Sequence, residues 1–115
     1  MNILIVDDDA AVALLIGAVL RKIVGRLETV TTFRQAKELV HSVHFDLVLL
    51  DIGLPDSPAD KTILRVEELR YGGARVVILT GAWPPQAQIK PSETGADGVL
   101  YKGDVELNEK LMALC

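Results

Sequence analysis

The residues of this chain best suited to chemistry are oxygen acids, a hydroxyl and one amine. Asp7, Asp8 and Asp9 stand in a row after an apolar run; Asp51 follows a second run, Thr80 a third, and Lys102 a weaker fourth. Carboxylates gathered in one place repel each other and need a cation. An all-oxygen set suits a hard divalent ion, Mg²⁺ above all, which takes one or two carboxylates and keeps waters or phosphate oxygens in its shell. A carboxylate beside such an ion can attack phosphorus, in a transfer catalysed mainly by positioning and charge stabilisation. Lys102 would then pair with Asp51 or with an incoming phosphoryl oxygen, and the Thr80 hydroxyl can turn to bond a phosphoryl group.

These residues meet only if the fold gathers them. Three apolar runs of about four residues, Ile3–Val6, Leu47–Leu50 and Val76–Leu79, have no polar alternation. Such runs mark strands buried on both faces, as in a parallel sheet. Leu27–Thr31 and Gly98–Tyr101 are weaker strand candidates. Between them lie segments of helical spacing: Ala10–Val24; Phe33–Val43, with Thr31 or Thr32 as N-cap; Ala59–Tyr71, ended by Gly72-Gly73; and Asp104–Leu114. A short or irregular helix is expected between Thr80 and Gly95, because Trp83-Pro84-Pro85 opens that stretch and Pro91 falls inside it. Strand and helix alternate about five times, the pattern of an α/β fold around a parallel sheet with helices on both faces. In such sheets ligands bind at the carboxyl ends of the strands, where the acids, Thr80 and Lys102 stand.

Composition narrows the function classes. With 115 residues the chain has room for one domain, 1–115, around one core. The net charge of -4 and the absence of a Lys/Arg run argue against direct nucleic-acid binding. The single cysteine, Cys115, cannot form an internal disulfide, and Met1 is not followed by a secretory-signal pattern. The longest near-apolar segment, Ala10–Leu20, falls short of the ~20 residues that span a bilayer. No membrane association is expected, and the protein reads as cytoplasmic. Ala10–Leu20 reads first as a well-buried helix and second as a homodimer face.

Four segments, in order and at fitting spacing, carry a family resemblance: Ile3–Asp9, Asp46–Asp56, Val77–Gly81 and Gly95–Lys102. Together they resemble the successive signatures of response regulator receiver domains, over almost the whole chain. The resemblance implies a flavodoxin-like, doubly wound (βα)5 fold with strand order 2-1-3-4-5. It implies Asp51 as phosphoacceptor, Asp7 and Asp8 as the acidic pair for Mg²⁺, and the Gly53 carbonyl completing the metal site with Asp51. Thr80 is then the switch hydroxyl and Lys102 the lysine that pairs with the phosphoryl group. The implied partners are a sensor histidine kinase or phosphotransfer protein and an output domain or effector. The domain would catalyse its own phosphorylation and dephosphorylation without being a turnover enzyme.

The chain also departs from the family pattern. Gly103 stands where a proline usually follows the lysine, so a trans bond or an altered loop is expected there, with some shift of the lysine; a non-proline cis bond would cost ~2.5–4 kcal/mol. Val99 occupies the place of the switch aromatic, and Pro91 interrupts the preceding helix. These changes favour, as an alternative, a pseudo-receiver that binds a partner regardless of phosphorylation. A metal-dependent phosphohydrolase is weaker still, since Gly53 stands where its general acid would be. Asp9 reads as a first-turn helix acid, His41 and His44 as helix-end residues away from the site, Asp46 as a loop residue and Trp83 as a partner contact.

Overall fold

Strands that are apolar on both sides need a layer of helices on each face, and the chain supplies them in alternation. The computed structural model describes residues 1–23, 25–81 and 94–115, without the side chains of Ala59, Asp60 and Ile63. The elements are β1 (Asn2–Val6), α1 (Ala10–Leu20), β2 (Arg26–Val30), α2 (Phe33–Ser42), β3 (Leu47–Asp51) and α3 (Ala59–Thr62), which runs into a 3₁₀ helix (Ile63–Leu69). They continue with β4 (Arg75–Thr80), β5 (Gly98–Tyr101) and α4 (Leu107–Ala113). All pairings are parallel and the order is β2-β1-β3-β4-β5, so the doubly wound α/β expectation holds. The helix expected around Trp83 and Pro91 lies outside the described residues, as does Val24.

Alternation along each strand splits the core in two. Leu4, Val6, Val48, Leu50, Val76 and Ile78 point to the side covered by α2 and the 3₁₀ helix, with Phe33, Val66 and Leu69. Ile3, Ile5, Leu47, Leu49, Val77 and Leu79 point to the side covered by α1 and α4, with Ile16, Leu20 and Leu111. Full burial of each such side chain contributes about 1.5–3 kcal/mol.

Three elements differ from the sequence reading. The third helix is α-helical for only four residues before tightening. Val66 and Leu69, three apart and fully buried, share one face, as three residues per turn requires. The last helix starts at Leu107, three residues after Asp104, whose carboxylate instead accepts the Glu106 N–H and pairs with Lys110. Helix α1 is not well buried: Ala13, Ile16, Gly17 and Leu20 face the sheet, while Leu14 and Leu15 are 70% and 69% exposed.

Helix α2 begins under two independent restraints. Thr32 is the N-cap, its hydroxyl accepting the Gln35 N–H at 3.1 Å. Asp56, from the loop after β3, accepts the Phe33 and Arg34 N–H groups at 2.8 and 3.0 Å, which ties that loop to a helix 23 residues earlier. Burial would raise the Asp56 pKa, but the N–H groups of Arg34, Phe33 and Asp56 itself, with the charge of Arg65, together outweigh it and hold the carboxyl below its ordinary value. Its stabilisation is therefore present above the unfolded carboxylate pKa and is lost as pH falls through the lower folded value. Asp56→Ala is expected to cost about 1 kcal/mol in urea unfolding at neutral pH and less in acid. A variant as stable as the wild type at neutral pH would refute this cap.

Candidate functional site

The sheet brings the chemically apt residues to one edge. Val6 is in register with Leu50, so Asp7 and Asp51 leave neighbouring strands side by side. This is where the strand order reverses, the place at which open α/β sheets bind ligands. Asp51 is opposite Leu79 and Thr80 opposite Tyr101, which sets Thr80 and Lys102 on the next two strands in line. The Lys102 N–H donates to the Thr80 carbonyl at 2.8 Å, extending the β4–β5 pairing to the site itself.

Asp7 is buried, with its two oxygens differently engaged. Oδ1 accepts the Asp9 N–H at 2.9 Å, which fixes the chain where it turns into α1. Oδ2 lies 2.8 Å from the Lys102 ammonium, an ion pair that lacks hydrogen-bond alignment. The lysine is 3.6 Å from Asp51 Oδ2. In this structure, then, the nearest carboxylate to Lys102 is Asp7, and the Asp51 contact expected from the sequence is the longer of the two.

The electrostatics follow from this crowding. Burial raises the Asp51 pKa; Lys102 opposes the rise, the Asp7 charge adds to it, and the net shift is upward. Burial alone would depress Lys102, but pairing with Asp7 and the charge of Asp51 leave its pKa raised. The lysine is held charged between two acids, one of which resists ionisation.

Asp7, Asp8 and Asp51 each offer an oxygen within 4.8 Å of the others. Asp8 is exposed at the mouth of this group. A buried carboxylate oxygen without an aligned donor, beside two more carboxylates, fits a hard divalent cation such as Mg²⁺. The Gly53 N–H approaches Asp51 Oδ1 at 3.4 Å, so Gly53 also stands beside the cluster. Thr80 is buried at the end of β4.

Other residues occupy plainer positions. Asp9 is the α1 N-cap, accepting the Ala11 and Val12 N–H groups. His41 stacks at a tilt on Tyr71, and His44 contacts Asp46, both away from the site. Asp46 accepts the Asn2 N–H at 2.7 Å and so anchors the start of β1. Lys102 and Gly103 form the centre of a turn closed by the Asp104 N–H on the Tyr101 carbonyl at 3.1 Å. Sequence reasoning missed Asp97, which accepts the Val76 N–H and pairs with Arg70, pinning the approach to β5 against the start of β4.

Comparison with known proteins agrees with this geometry. The family model of the response regulator receiver domain matches residues 3–112. The transcriptional regulatory protein BasR of Escherichia coli is 35% identical over 99% of this chain, which spans about half of BasR's length (52%). The BeF3-activated receiver domain of DrrB, a Thermotoga maritima OmpR/PhoB homologue, has a TM-score of 0.73 at 27% identity. That match covers 98% of this chain and 92% of the DrrB domain. A CheY-like receiver domain from Methylobacillus flagellatus shares the fold, with a TM-score of 0.79 at 21% identity over 99% of this chain and 97% of its own. Receiver domains generally bind Mg²⁺ through an acidic pocket, and among the described residues no helix is long and apolar enough to cross a membrane. With strand order, acidic cluster and lysine all in place, the chain belongs to the response regulator receiver domain family.

Proposed function

We propose that this receiver takes a phosphoryl group onto Asp51 from a phosphohistidine, carried by a sensor histidine kinase or a phosphotransfer protein. The observation that carries the reading is Asp51 at the β3 end, within ion-pair reach of Lys102 and within ligand distance of Asp7 and Asp8. A carboxylate oxygen of Asp51 attacks phosphorus; the O–P bond forms as the N–P bond to the donor imidazole breaks, and the imidazole leaves with the bonding pair. Asp7, Asp8 and Asp51, with the Gly53 carbonyl, would hold Mg²⁺. When bound, that ion supplies positive charge against the phosphoryl oxygens. Lys102 offers its ammonium to a phosphoryl oxygen, and Thr80 its hydroxyl.

The raised Asp51 pKa suits this role, since a crowded carboxylate gains when cationic charge arrives. Residues 1–115 act as one receiver unit in the cytoplasm, and the signal passes to an attached output domain or a separate effector. The site works on its own side chain and is not a turnover centre.

Incubation with Mg²⁺ and acetyl phosphate is expected to add one phosphoryl group per chain, seen by intact-mass spectrometry. The adduct should be cleaved by hydroxylamine and absent in Asp51→Asn. Labelling that survives Asp51→Asn would place the acceptor elsewhere, and no labelling of the wild type would leave a pseudo-receiver.

Two stability measurements test the charge arrangement without any donor. Because the folded Asp51 pKa is raised, ionisation of Asp51 costs stability as pH climbs from the unfolded value through the folded one. In EDTA at neutral pH, Asp51→Asn is therefore expected to raise Tm; a lower Tm would mean that attraction to Lys102 outweighs burial and Asp7. Lys102→Met strands the buried Asp7 carboxylate and is expected to cost about 2 kcal/mol, below the range for fully buried pairs because the lysine is partly exposed. Adding Asp7→Asn should recover most of that loss. No recovery in urea unfolding of the double variant would assign the lysine's contribution to packing instead.

A further inference from the structure

Two buried polar side chains, Ser57 and Thr62, take no part in the acid cluster. They follow Gly53, the residue proposed to offer a carbonyl to the metal, in the loop and helix after β3, and are only 1% and 0% exposed. Gly53 itself has little to hold it. A Cβ at this position would meet nothing within 4 Å, and the Gly53 N–H reaches Asp51 Oδ1 only at 3.4 Å.

The turn that follows supplies the restraint. Leu54-Pro55-Asp56-Ser57 is a four-residue turn with proline at its second position. The Ser57 N–H donates to the Leu54 carbonyl at 3.2 Å, and the Leu54 N–H donates back to the Ser57 carbonyl at 3.3 Å. The Gly53 carbonyl and the Leu54 N–H belong to one planar, trans peptide unit and point opposite ways. A bond that turns the Leu54 N–H toward Ser57 therefore turns the Gly53 carbonyl out of the turn. The Ser57 carbonyl is held by Thr62, whose Oγ1 lies 2.8 Å from it and 3.0 Å from the Pro58 carbonyl. Carbonyls only accept, so the single Thr62 hydroxyl proton goes to them, and the Ser57 hydroxyl, 2.7 Å away, donates to Thr62 Oγ1. The Pro58 carbonyl already accepts the Lys61 and Thr62 N–H groups. That leaves the nearer Ser57 carbonyl as the main acceptor of the hydroxyl.

We infer that Thr62 is a positioning residue for the divalent cation. Its hydroxyl fixes the Ser57 carbonyl, which aligns the Leu54 N–H and, on the same peptide, the Gly53 carbonyl. This role rests on the Mg²⁺ site proposed above. Mg²⁺ demands near-ideal octahedral ligand geometry, whereas Ca²⁺ accepts looser arrangements. A Gly53 carbonyl left free to tilt therefore costs Mg²⁺ more than Ca²⁺.

Titration calorimetry of the 115-residue chain with Mg²⁺ and with Ca²⁺ tests this without any phosphodonor. Thr62→Val keeps the side-chain shape and loses the hydroxyl. It is expected to weaken Mg²⁺ binding about tenfold and Ca²⁺ binding less. Thr62→Ser should restore the wild-type affinity. Asp46→Ala, which releases the start of β1 at the other end of the sheet, should lower Tm and leave both affinities unchanged. Thr62→Ala repeats the measurement if circular dichroism shows the valine variant unfolded. A wild type that binds Mg²⁺, loses it in Asp51→Asn and keeps it in Thr62→Val overturns the inference and spares the metal site. Equal losses for the two ions, or a loss in Thr62→Ser as large as in Thr62→Val, overturn it too, by reducing Thr62 to packing. A wild type that binds neither ion, or binds no better than Asp51→Asn, overturns the metal site itself and the inference with it.

Discussion

Two carboxylates and one ammonium are held together at the carboxyl ends of β1, β3 and β5, and the surrounding architecture answers to that. Strands β1, β3 and β4 are apolar on both faces, so their interiors are dry. Ionised groups can stand only where the strands end, and there they must be paired. Lys102 does the pairing, contacting Asp7 at 2.8 Å and Asp51 at 3.6 Å. The deficit that remains is one of positive charge: two acids, with Asp8 at the mouth, share a single cation. A site left short of a cation in this way suits the hard divalent ion proposed for it.

Each arm of the constellation is fixed by backbone as much as by side chain. Asp7 is pinned by its own bond to the Asp9 N–H, and its main chain donates to Val30 of β2 at 3.0 Å. Lys102 hangs from the Thr80 carbonyl. Asp51 is the last residue of its strand, and the loop that follows is drawn across to α2 by Asp56. Only Asp8 is left outside these restraints, exposed at the rim. The rigid members set the site's shape, while the exposed one faces whatever approaches.

Much of this was legible in the sequence because it depends on short-range pattern. Continuous apolar runs gave away β1, β3 and β4, and acids just past their ends located the site. The readings that failed depend on distant partners or on period. Nothing local marks Asp56 as a cap, since only the fold carries it to the α2 N-terminus. Val66 and Leu69 fit a helical stripe as well as a three-residue period, so the 3₁₀ stretch could not be told from an α-helix. An apolar α1 looked buried because sequence shows apolarity and not which side the sheet takes; the four inward residues exhaust the contact, and Leu14 and Leu15 are left over. The preference of Lys102 for Asp7 is a matter of a fraction of an ångström, below what spacing can resolve.

The strand after β4 limits how a change at the site can spread. Val99 packs partly buried against the α2-side core, and a branched aliphatic chain has no ring to swing between a buried and an exposed position. Tyr101 has a ring but stands next to Lys102, half-buried at the strand's end. What does connect Thr80 to β5 is backbone: the Lys102 N–H on the Thr80 carbonyl, then the turn closed from Asp104 to Tyr101. That turn leads to Asp104 and its Lys110 partner on α4, and α4 lies beside α1. Hydrogen-bonded main chain therefore leads from Thr80 and Lys102 toward the α1–α4 side of the sheet. The same side carries the exposed Leu14 and Leu15 of α1, so the main chain that leaves the acid cluster runs toward the helix with the most apolar surface left over.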